Sequence, residues 1–295
     1  MPFRADGSPV WAFRSPGLRI AAPSPPSRGL HLSGACWMRA PRSQLRDSSG
    51  FSPDSLGTQW NLSSGKELAS AAINLEQPVA WIFDLDGTLV DTVETRIAAW
   101  LRTFAERGIP ADRAQVANLI GSDGRRLARV VAAAAGQTLS SDREEEIDRR
   151  SGEIYSELNT DPKALTGAVQ LLKTLDEHRQ PWAIATSSRR EQVGASVKAL
   201  TLAGSPIIID GSRVEHAKPA PDVLLVAARE LGVEPARGWY VGDSIWDMQA
   251  AAAAGMPAVG VVSGSATADE LAGAGALFTV KALTELIPFA RRARR

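Results

Sequence analysis

The sequence predicts an α/β fold in which helices cover a parallel β-sheet and an all-helical segment is inserted into it. From Pro78 onward, short apolar runs of strand length alternate with longer stretches of helical periodicity, which is typical of strands joined by crossover helices. The first run ends at Phe83 and the second begins at Trp182, so the intervening chain is far longer than one crossover requires. The predicted strands are residues 79–83, 182–185, 207–209, 239–241 and 258–262.

Residues 1–77 precede this pattern and differ from it in composition. They are rich in Pro, Ser, Gly and Arg, and no acidic residue occurs between Gly7 and Arg46. Because regularly spaced apolar residues are scarce here, little surface could be buried to offset the entropy of ordering, and we expect a disordered extension. The Arg-rich composition also resembles an organelle transit peptide, and Met38 would allow a later start of translation. A disordered tail, a targeting segment and a mis-assigned start all stay open.

The overall composition narrows the classes of partner. Lys plus Arg and Asp plus Glu both number 33, so the formal charge is zero and neither nucleic acid nor an anionic membrane is indicated. Cys36 is the only cysteine and there are three histidines, which provides no zinc-binding cluster and fits a cytoplasmic location. No stretch of about 18 uninterrupted apolar residues occurs, so we expect no transmembrane helix. Nothing in the sequence indicates the oligomeric state.

The long segment between the first two strands is expected to form a helical cap over the sheet. Its apolar residues recur at helical spacing, and a further helix over about Leu165–His178 would return the chain to the second strand. This interpretation divides the chain into a core of residues 78–94 and 162–290, a cap of residues 95–161 and a basic tail of residues 291–295. The residues predicted to face the interior of the cap are Ile97, Trp100, Leu101, Phe104, Leu127, Val130, Val131, Ile147, Ile154 and Leu158.

Two aspartates follow the first predicted strand. Asp84 and Asp86 share one face of the extended strand end, whereas Leu85 between them points toward the core. Such a pair suits phosphoryl transfer, because one carboxylate can attack phosphorus while the other moves a proton at the leaving oxygen. By itself an Asp-X-Asp after a strand is more often a solvated turn or a simple metal site. The assignment therefore depends on the residues that follow the other strands.

Three further polar segments occur in the order that phosphoryl transfer would need. Thr186 and Ser187 offer hydroxyl and backbone donors at a strand-to-helix junction, which suits a phosphate. Two prolines after Lys218 stiffen the approach to a helix and would hold the ammonium in place. Asp243 and Asp247 lie four residues apart at a helix start, so both can face one direction. Hard carboxylate oxygens without histidine or thiolate favour Mg²⁺ over zinc.

These segments resemble the four signature motifs of the haloacid dehalogenase superfamily. DLDGTLVDT, TSS, KPAPD and GDSIWD occur in the order and approximate spacing of that family, over about Pro78 to Phe289. The resemblance implies a Rossmann-like core, a helical cap inserted after the first motif, and Mg²⁺ as cofactor. It also implies roles: Asp84 as nucleophile, Asp86 as general acid/base, Thr186, Ser187 and Lys218 as phosphate ligands, and Asp84, the Asp86 carbonyl and Asp243 as metal ligands. We assign Asp247 a supporting position, in which it orients Lys218 or a metal-bound water.

Within this superfamily the chain looks most similar to phosphoglycolate phosphatase-like and β-phosphoglucomutase-like members. The presence of Asp86 favours attack on phosphorus, since the dehalogenase branch lacks an acid there and attacks carbon. The mutase branch typically has a histidine in the first cap helix where this chain has Arg96, which weakens the mutase alternative. The preferred prediction is a phosphatase of a small phosphorylated metabolite, either phosphoglycolate-like or sugar-phosphate-like. A sugar phosphomutase comes second and a non-catalytic binding protein third.

The choice of substrate is expected to reside in the cap, although the sequence does not identify the substrate. A loop at residues 120–126 interrupts two predicted helices and contains Arg125. Its guanidinium could bind a distal carboxylate or phosphate with two hydrogen bonds. A solvated position on a helix that begins at Asp123 is the equally favoured alternative.

Overall fold

A computed structural model describes residues 77–291 of the chain. The expectations for the N-terminal extension and the basic tail fall almost entirely outside these described residues. Within them, no helix is both long and apolar enough to cross a membrane.

A six-stranded parallel sheet forms the centre of the fold, as the sequence predicts. Every predicted strand is present, with each end within one residue of the prediction. The strand at residues 278–280 was not predicted, because a run of three residues is too short to be recognised in the sequence. The sheet order is β5-β4-β1-β6-β7-β8, with all pairs parallel. The strands are β1 (Ala80–Phe83), β4 (Trp182–Ala185), β5 (Ile207–Ile209), β6 (Gly238–Gly242), β7 (Ala258–Val261) and β8 (Phe278–Val280); the short β2 (Val90–Asp91) and β3 (Lys163–Ala164) pair separately, in antiparallel fashion.

Four helices are inserted between the two strands of the β2–β3 ribbon. They are α1 (Val93–Glu106), α2 (Arg113–Leu119), α3 (Gly124–Ala134) and α4 (Ser141–Leu158). Their apolar faces form a separate hydrophobic cluster that also includes Trp246 from the core. The indole Nε1 of Trp246 donates to the carbonyl of Asn118 at 3.1 Å, so the insertion rests on the core through a polar contact as well.

One residue of the predicted cap interior faces outward. Leu158 was expected on the buried face of α4, but its side chain is 43% exposed at the last residue of that helix. Tyr155, one turn earlier, is fully buried instead. The buried face of α4 therefore carries a polar hydroxyl where an apolar residue was expected.

Helices cover both faces of the sheet because successive residues of each strand point to opposite sides. Trp81 and Phe83 of β1 belong to the cluster on one face, whereas Ile82 belongs to the cluster on the other. The remaining helices are α5 (Ala168–Glu177), α6 (Arg190–Ala199), α7 (Asp222–Leu231), α8 (Ile245–Ala254), α9 (Ala268–Gly273) and α10 (Ile287–Ala290). α5 packs with the C-terminal segment on the first face, and α7 and α8 cover the second.

Gly167 connects the insertion to the core at a point where only glycine fits. It precedes α5 with φ of +87°, and a Cβ atom there would lie 2.4 Å from the backbone nitrogen of Thr284. Gly136 has a similar φ of +74°, but a Cβ atom there would meet nothing within 4 Å. An alanine at Gly136 would therefore incur only the cost of the left-handed backbone, whereas an alanine at Gly167 would incur that cost and a steric clash as well.

We expect Gly167→Ala to destabilise the protein more than Gly136→Ala does. The left-handed conformation costs an L-residue roughly 1–2 kcal/mol at either position. Overpacking against the Thr284 backbone adds about 1–3 kcal/mol at Gly167 only. Urea denaturation of both variants measures the difference, and equal losses of unfolding free energy would contradict the structural account.

Candidate active site

The predicted motif residues meet at the carboxyl edge of the parallel sheet. Phe83 pairs with Ile184 of β4 and with Val241 of β6, so the residues that follow these three strands emerge side by side. Asp84, Thr186 and Asp243 come directly from these strand ends and are all buried. This edge is where ligands bind in open parallel α/β sheets.

Lys218 is the centre of a buried hydrogen-bond network. Its ammonium donates to Asp84 Oδ1 at 2.5 Å, to Asp247 Oδ1 at 2.7 Å and to the Tyr240 hydroxyl at 3.1 Å. The Tyr240 hydroxyl in turn donates to Asp247 Oδ1 at 2.8 Å. A lysine that is 1% exposed can remain charged only because it is paired and hydrogen-bonded in this way.

Asp247 is fixed by its position in α8. Its carboxylate accepts hydrogen bonds from the backbone nitrogen of Ser244 at 3.0 Å and from the Ser244 hydroxyl at 2.6 Å, which completes a capping box at the helix start. One oxygen therefore caps the helix while the other binds Lys218. Asp247 thus contacts Lys218, which is one of the two groups that it is predicted to orient. Tyr240 was not predicted as a site residue, because the sequence indicates only that it belongs to a buried strand.

Asp243 sits in a cradle formed by two glycines. A Cβ at Gly87 would lie 2.4 Å from Asp243 Oδ2, and one at Gly264 would lie 1.9 Å from the same atom. The other oxygen, Oδ1, accepts a hydrogen bond from Thr88 at 2.8 Å. The close backbone approach on both sides leaves no room for larger residues and fixes the direction of the carboxylate.

Three carboxylates meet closely enough to hold one cation. One oxygen from each of Asp84, Asp243 and Asp247 lies within 4.8 Å of the others. Lys218 contacts two of these aspartates, so full ionisation of all three would set three negative charges against one positive charge and leave two uncompensated. A divalent cation with a preference for oxygen ligands fits both the donor set and the missing charge.

The pKa values of Asp84, Asp243 and Lys218 are all raised in this cluster. Burial raises the pKa of Asp84 to about 7, with Lys218 opposing the rise and Asp247 adding to it. Burial, together with Asp247 and Asp84, also raises the pKa of Asp243 well above its ordinary value. Burial works against the charged form of Lys218, but Asp247 and Asp84 outweigh it and raise its pKa. The carboxylates would therefore ionise fully only with a further positive charge nearby.

Asp86 points away from this cluster, toward the inserted helices. Its Oδ1 accepts from Thr92 Oγ1 at 2.7 Å and from the Tyr155 hydroxyl at 2.8 Å. Its Oδ2 accepts from Arg96 Nη2 at 2.8 Å and from Ser188 Oγ at 2.5 Å. The contacts come from three parts of the fold: the core, α1 and α4.

The surroundings of Asp86 favour its ionised form. Burial alone would raise the pKa of this carboxyl, but Arg96 and the hydrogen bonds from Ser188, Thr92 and Tyr155 together lower it below its ordinary value. Arg96 is also held from several sides, since it stacks on the Tyr155 ring at 3.4 Å from the centroid. The two aspartates of the first motif thus have opposite pKa shifts.

A cavity of about 410 Å³ opens between the sheet edge and the inserted helices. The predicted residues that line it are Asp84, Asp86, Thr186, Ser187, Lys218 and Arg125, whereas Asp243 and Asp247 lie outside its lining. The Thr186 hydroxyl accepts from the backbone nitrogen of Ser188 at 3.1 Å. The Ser187 hydroxyl donates to the carbonyl of Gly121 at 3.4 Å.

Arg125 lines the same cavity but is already paired. It is the second residue of α3, and its guanidinium contacts the Asp123 carboxylate through Nη2 at 3.0 Å and through Nε at 3.4 Å. Asp123 also caps α3 by accepting from the backbone nitrogen of Arg126 at 3.0 Å. The structure thus combines the two alternatives for this arginine, a position on a helix begun at Asp123 and access to the cavity.

Several residues of the site were not among the predicted ones. Ser188 is the last residue of the TSS segment, and Arg96 stood out in the sequence only as a departure from the mutase pattern. Tyr155 carried no signal beyond its place in a predicted helix. The contacts of these three residues with Asp86 depend on how the insertion folds back over the sheet, which no local pattern specifies.

Comparison with known proteins agrees with this geometry. The model of a family described as haloacid dehalogenase-like hydrolases matches residues 81–261. A validoxylamine A 7'-phosphate phosphatase from Streptomyces hygroscopicus subsp. limoneus is 31% identical over 70% of this chain and 94% of its own length. A phosphoglycolate phosphatase from Xanthomonas campestris pv. campestris is 30% identical over 65% of this chain and 87% of its own length.

Solved structures extend the comparison to the fold. The crystal structure of a hydrolase from Pseudomonas syringae superposes with a TM-score of 0.67 and 33% identity, over 71% of this chain and 96% of that one. A β-phosphoglucomutase from Clostridium difficile gives a TM-score of 0.62 at 21% identity, over 71% of this chain and 93% of that one, which shows a shared fold.

We expect Arg96→Gln to destabilise the protein strongly, because it leaves the nearly buried Asp86 carboxylate without its charged partner. Loss of one partner of a buried ion pair typically costs about 3–5 kcal/mol. Arg102→Gln on the same helix is the matched control, since Arg102 is 48% exposed and its ion pairs are worth roughly 0–1 kcal/mol. Urea denaturation at neutral pH measures both variants. Similar losses would show that the Arg96–Asp86 pair does not connect the insertion to the core.

Proposed function

Because this chain belongs to the haloacid dehalogenase-like hydrolase family and is a phosphohydrolase of that family, we propose that it is a Mg²⁺-dependent phosphatase. Its proposed substrate is a small phosphomonoester, and the reaction passes through an aspartyl-phosphate on Asp84. The observation that carries the proposal is the network of Lys218 with Asp84 and Asp247, buried beneath a cavity of about 410 Å³. This arrangement presents a positioned carboxylate and a fixed positive charge to one entering group. The validoxylamine A 7'-phosphate phosphatase and the phosphoglycolate phosphatase that this chain resembles support a phosphorylated metabolite as the substrate.

In the first proposed step, Asp84 attacks the phosphorus atom of the substrate. Lys218 binds Oδ1 of Asp84, so Oδ2 is the oxygen proposed to form the new bond. The bond between phosphorus and the leaving oxygen breaks, and Asp86 gives a proton to that oxygen, which releases an alcohol. Thr186 and Ser187 would donate hydrogen bonds to the phosphoryl oxygens, and Lys218 would balance their charge.

In the second step, water releases phosphate from Asp84. Asp86, now ionised, takes a proton from the water as its oxygen attacks phosphorus, and the bond to Asp84 breaks. The lowered pKa of Asp86 favours the ionised form that this step needs. For the first step Asp86 must be protonated, and the negative charge of a phosphate entering beside it would raise its pKa in that direction.

The groups that we propose to hold Mg²⁺ are the carboxylates of Asp84 and Asp243 and the carbonyl of Asp86. When bound, Mg²⁺ would supply positive charge to the phosphoryl oxygens and compensate the excess negative charge of the buried aspartates. The cradle formed by Gly87 and Gly264 supports this assignment, because it fixes the Asp243 carboxylate while excluding other side chains. Asp247 would act through Lys218.

A sugar phosphomutase and a non-catalytic binding protein are less well supported. At the position where the mutase branch has a histidine, this chain has Arg96, which is bound to Asp86, Ser188 and Gln192 and cannot move a proton at neutral pH. A pure binding protein would not need both acids of the first motif. Phosphate release from a phosphomonoester, rather than isomerisation of a sugar phosphate, is the outcome that the proposal requires.

We expect the two aspartates of the first motif to fail in different ways when each is replaced by asparagine. Asp84→Asn should form no phosphorylated enzyme, since an amide is a very poor nucleophile. Asp86→Asn should still capture some phosphate from aryl phosphates, whose leaving group needs little protonation, but should release it slowly. Turnover of alkyl phosphates should fall about 10²–10⁴-fold in Asp86→Asn.

Acid-quench trapping of labelled phosphate on each variant measures this difference. The unmodified protein and Asp142→Asn, an exposed acid in the first turn of α4, are the controls. If Asp84→Asn traps label as well as the unmodified protein does, Asp84 is not the nucleophile and the mechanism is wrong.

We expect Mg²⁺ to raise the melting temperature of EDTA-treated protein and to restore phosphate release. Asp243→Asn should lose both effects. Because burial raises the pKa of Asp243 and favours its neutral form when no metal is bound, a neutral amide should be tolerated there and the variant should fold about as well as the metal-free parent, so the loss would not reflect unfolding. Differential scanning fluorimetry with and without Mg²⁺ tests the assignment, with Asp142→Asn as the control. A normal Mg²⁺ response in Asp243→Asn would show that the metal binds elsewhere.

A further inference from the structure

The lining of the cavity contains six charged side chains that contact neither Asp84 nor Asp86. They come from the insertion and from two loops of the core. This group, called here the outer charged set, consists of Asp123, Arg125, Glu145, Asp148, Arg189 and Glu215. Four of its members are acidic and two are basic.

Both arginines of the outer charged set are paired with carboxylates of the same set. Arg125 contacts Asp123 through two nitrogens. Arg189 donates to Glu145 at 2.6 Å and to Asp148 at 2.7 Å. Four carboxylates against two guanidinium groups leave two negative charges in excess. Burial raises the pKa of Asp148, with Arg189 opposing, and even a protonated Asp148 leaves the set negative.

A second anionic group on the substrate would meet an unfavourable environment here. Such a group could reach the guanidinium N–H groups that remain, but it would then lie beside the carboxylates already paired with each arginine, in a set with more negative than positive charge. A hydroxyl group has no such conflict, because it donates to carboxylate oxygens and accepts from the remaining guanidinium N–H groups.

The neutral part of the lining agrees with a hydroxyl-rich ligand. Ser122, Ser212 and Gln192 belong to the lining, together with apolar residues that include Trp100 and Leu127. A lining that combines apolar surfaces with neutral polar groups suits a polyol, which presents both C–H surfaces and hydroxyl groups. The cavity volume of about 410 Å³ lies in the range of sites for small metabolites.

We propose that the outer charged set selects phosphomonoesters whose leaving group is a polyol without negative charge, a sugar or sugar-alcohol phosphate, and discriminates against carboxylated ones such as phosphoglycolate. This inference rests on the proposed phosphatase function and makes it more specific. Arg125, together with Asp123, then acts as a neutral donor and acceptor pair for hydroxyl groups. An ammonium on the sugar is tolerated for the same electrostatic reason.

Two matched substrate sets test the proposal with the full-length protein and Mg²⁺. Glycerol 3-phosphate and 3-phosphoglycerate differ by a hydroxymethyl group and a carboxylate. Glucose 6-phosphate and glucosamine 6-phosphate lack the carboxylate that 6-phosphogluconate carries. We expect kcat/KM for phosphate release to be at least about tenfold lower for the carboxylated member of each set, mainly through a higher KM.

Charge-neutralising variants show whether the outer charged set is the cause. In Asp123→Asn the asparagine can still cap α3, while Arg125 loses its anionic partner. This variant and Glu215→Gln should narrow the preference within each set. Glu153→Gln is the matched control, because Glu153 lies on the same helix as Glu145 but pairs with Arg150 outside the cavity.

The outcomes distinguish this proposal from the underlying function. If neither these esters nor p-nitrophenyl phosphate releases phosphate, the proposed phosphatase function fails. If p-nitrophenyl phosphate is hydrolysed and the carboxylated esters react as well as their uncharged partners, only the selectivity proposal is overturned. Hydrolysis of p-nitrophenyl phosphate without any reaction of the polyol phosphates would overturn it as well.

Discussion

The burial of three carboxylates and one ammonium at the edge of the sheet is the constraint on which the rest of the site depends. Removing charges from water is costly unless each one is paired and hydrogen-bonded. The neighbouring residues supply those partners: Tyr240 and Lys218 for Asp247, and Thr88 for Asp243. Burial nevertheless raises the pKa values of Asp84 and Asp243, so the stability of the fold and the ionisation of the proposed nucleophile depend on the same cluster.

The insertion completes the site through Asp86. Without α1 and α4, this carboxylate would lack both Arg96 and Tyr155, and one wall of the cavity would be missing. The charged partner of Asp86, Arg96, therefore comes from the insertion, whereas the charged partner of Asp84, Lys218, comes from the core. The opposite pKa shifts of the two aspartates follow from this division: burial outweighs the effect of Lys218 on Asp84, whereas Arg96 and the hydrogen-bond donors outweigh burial at Asp86.

The sheet, and the convergence of the motif residues at its carboxyl edge, could be predicted from the sequence because both depend on local patterns. A buried strand followed by a polar residue is recognisable in any window, and parallel pairing brings such residues together wherever the strands are adjacent. Contacts between distant helices are different. The contact of Tyr155 with Asp86 spans 69 positions and depends on the path of α4, and Leu158 was wrongly expected inside for the same reason. Local periodicity indicates a helix face, but not where the face stops being covered.

Selectivity in such a site can arise from what the cavity rejects as much as from what it attracts. Under the proposed function, the phosphate end of any phosphomonoester would present the same charge to Asp84, Lys218 and a bound Mg²⁺, so those groups could not distinguish one ester from another. Discrimination must then come from the leaving group and the walls around it. In this chain the arginines on those walls are already neutralised by neighbouring carboxylates, so they supply hydrogen-bond donors without net positive charge. Replacing a single carboxylate of the outer charged set would change the net charge of the cavity wall without changing the groups proposed to react. The same set of reacting groups could in this way serve different phosphorylated substrates.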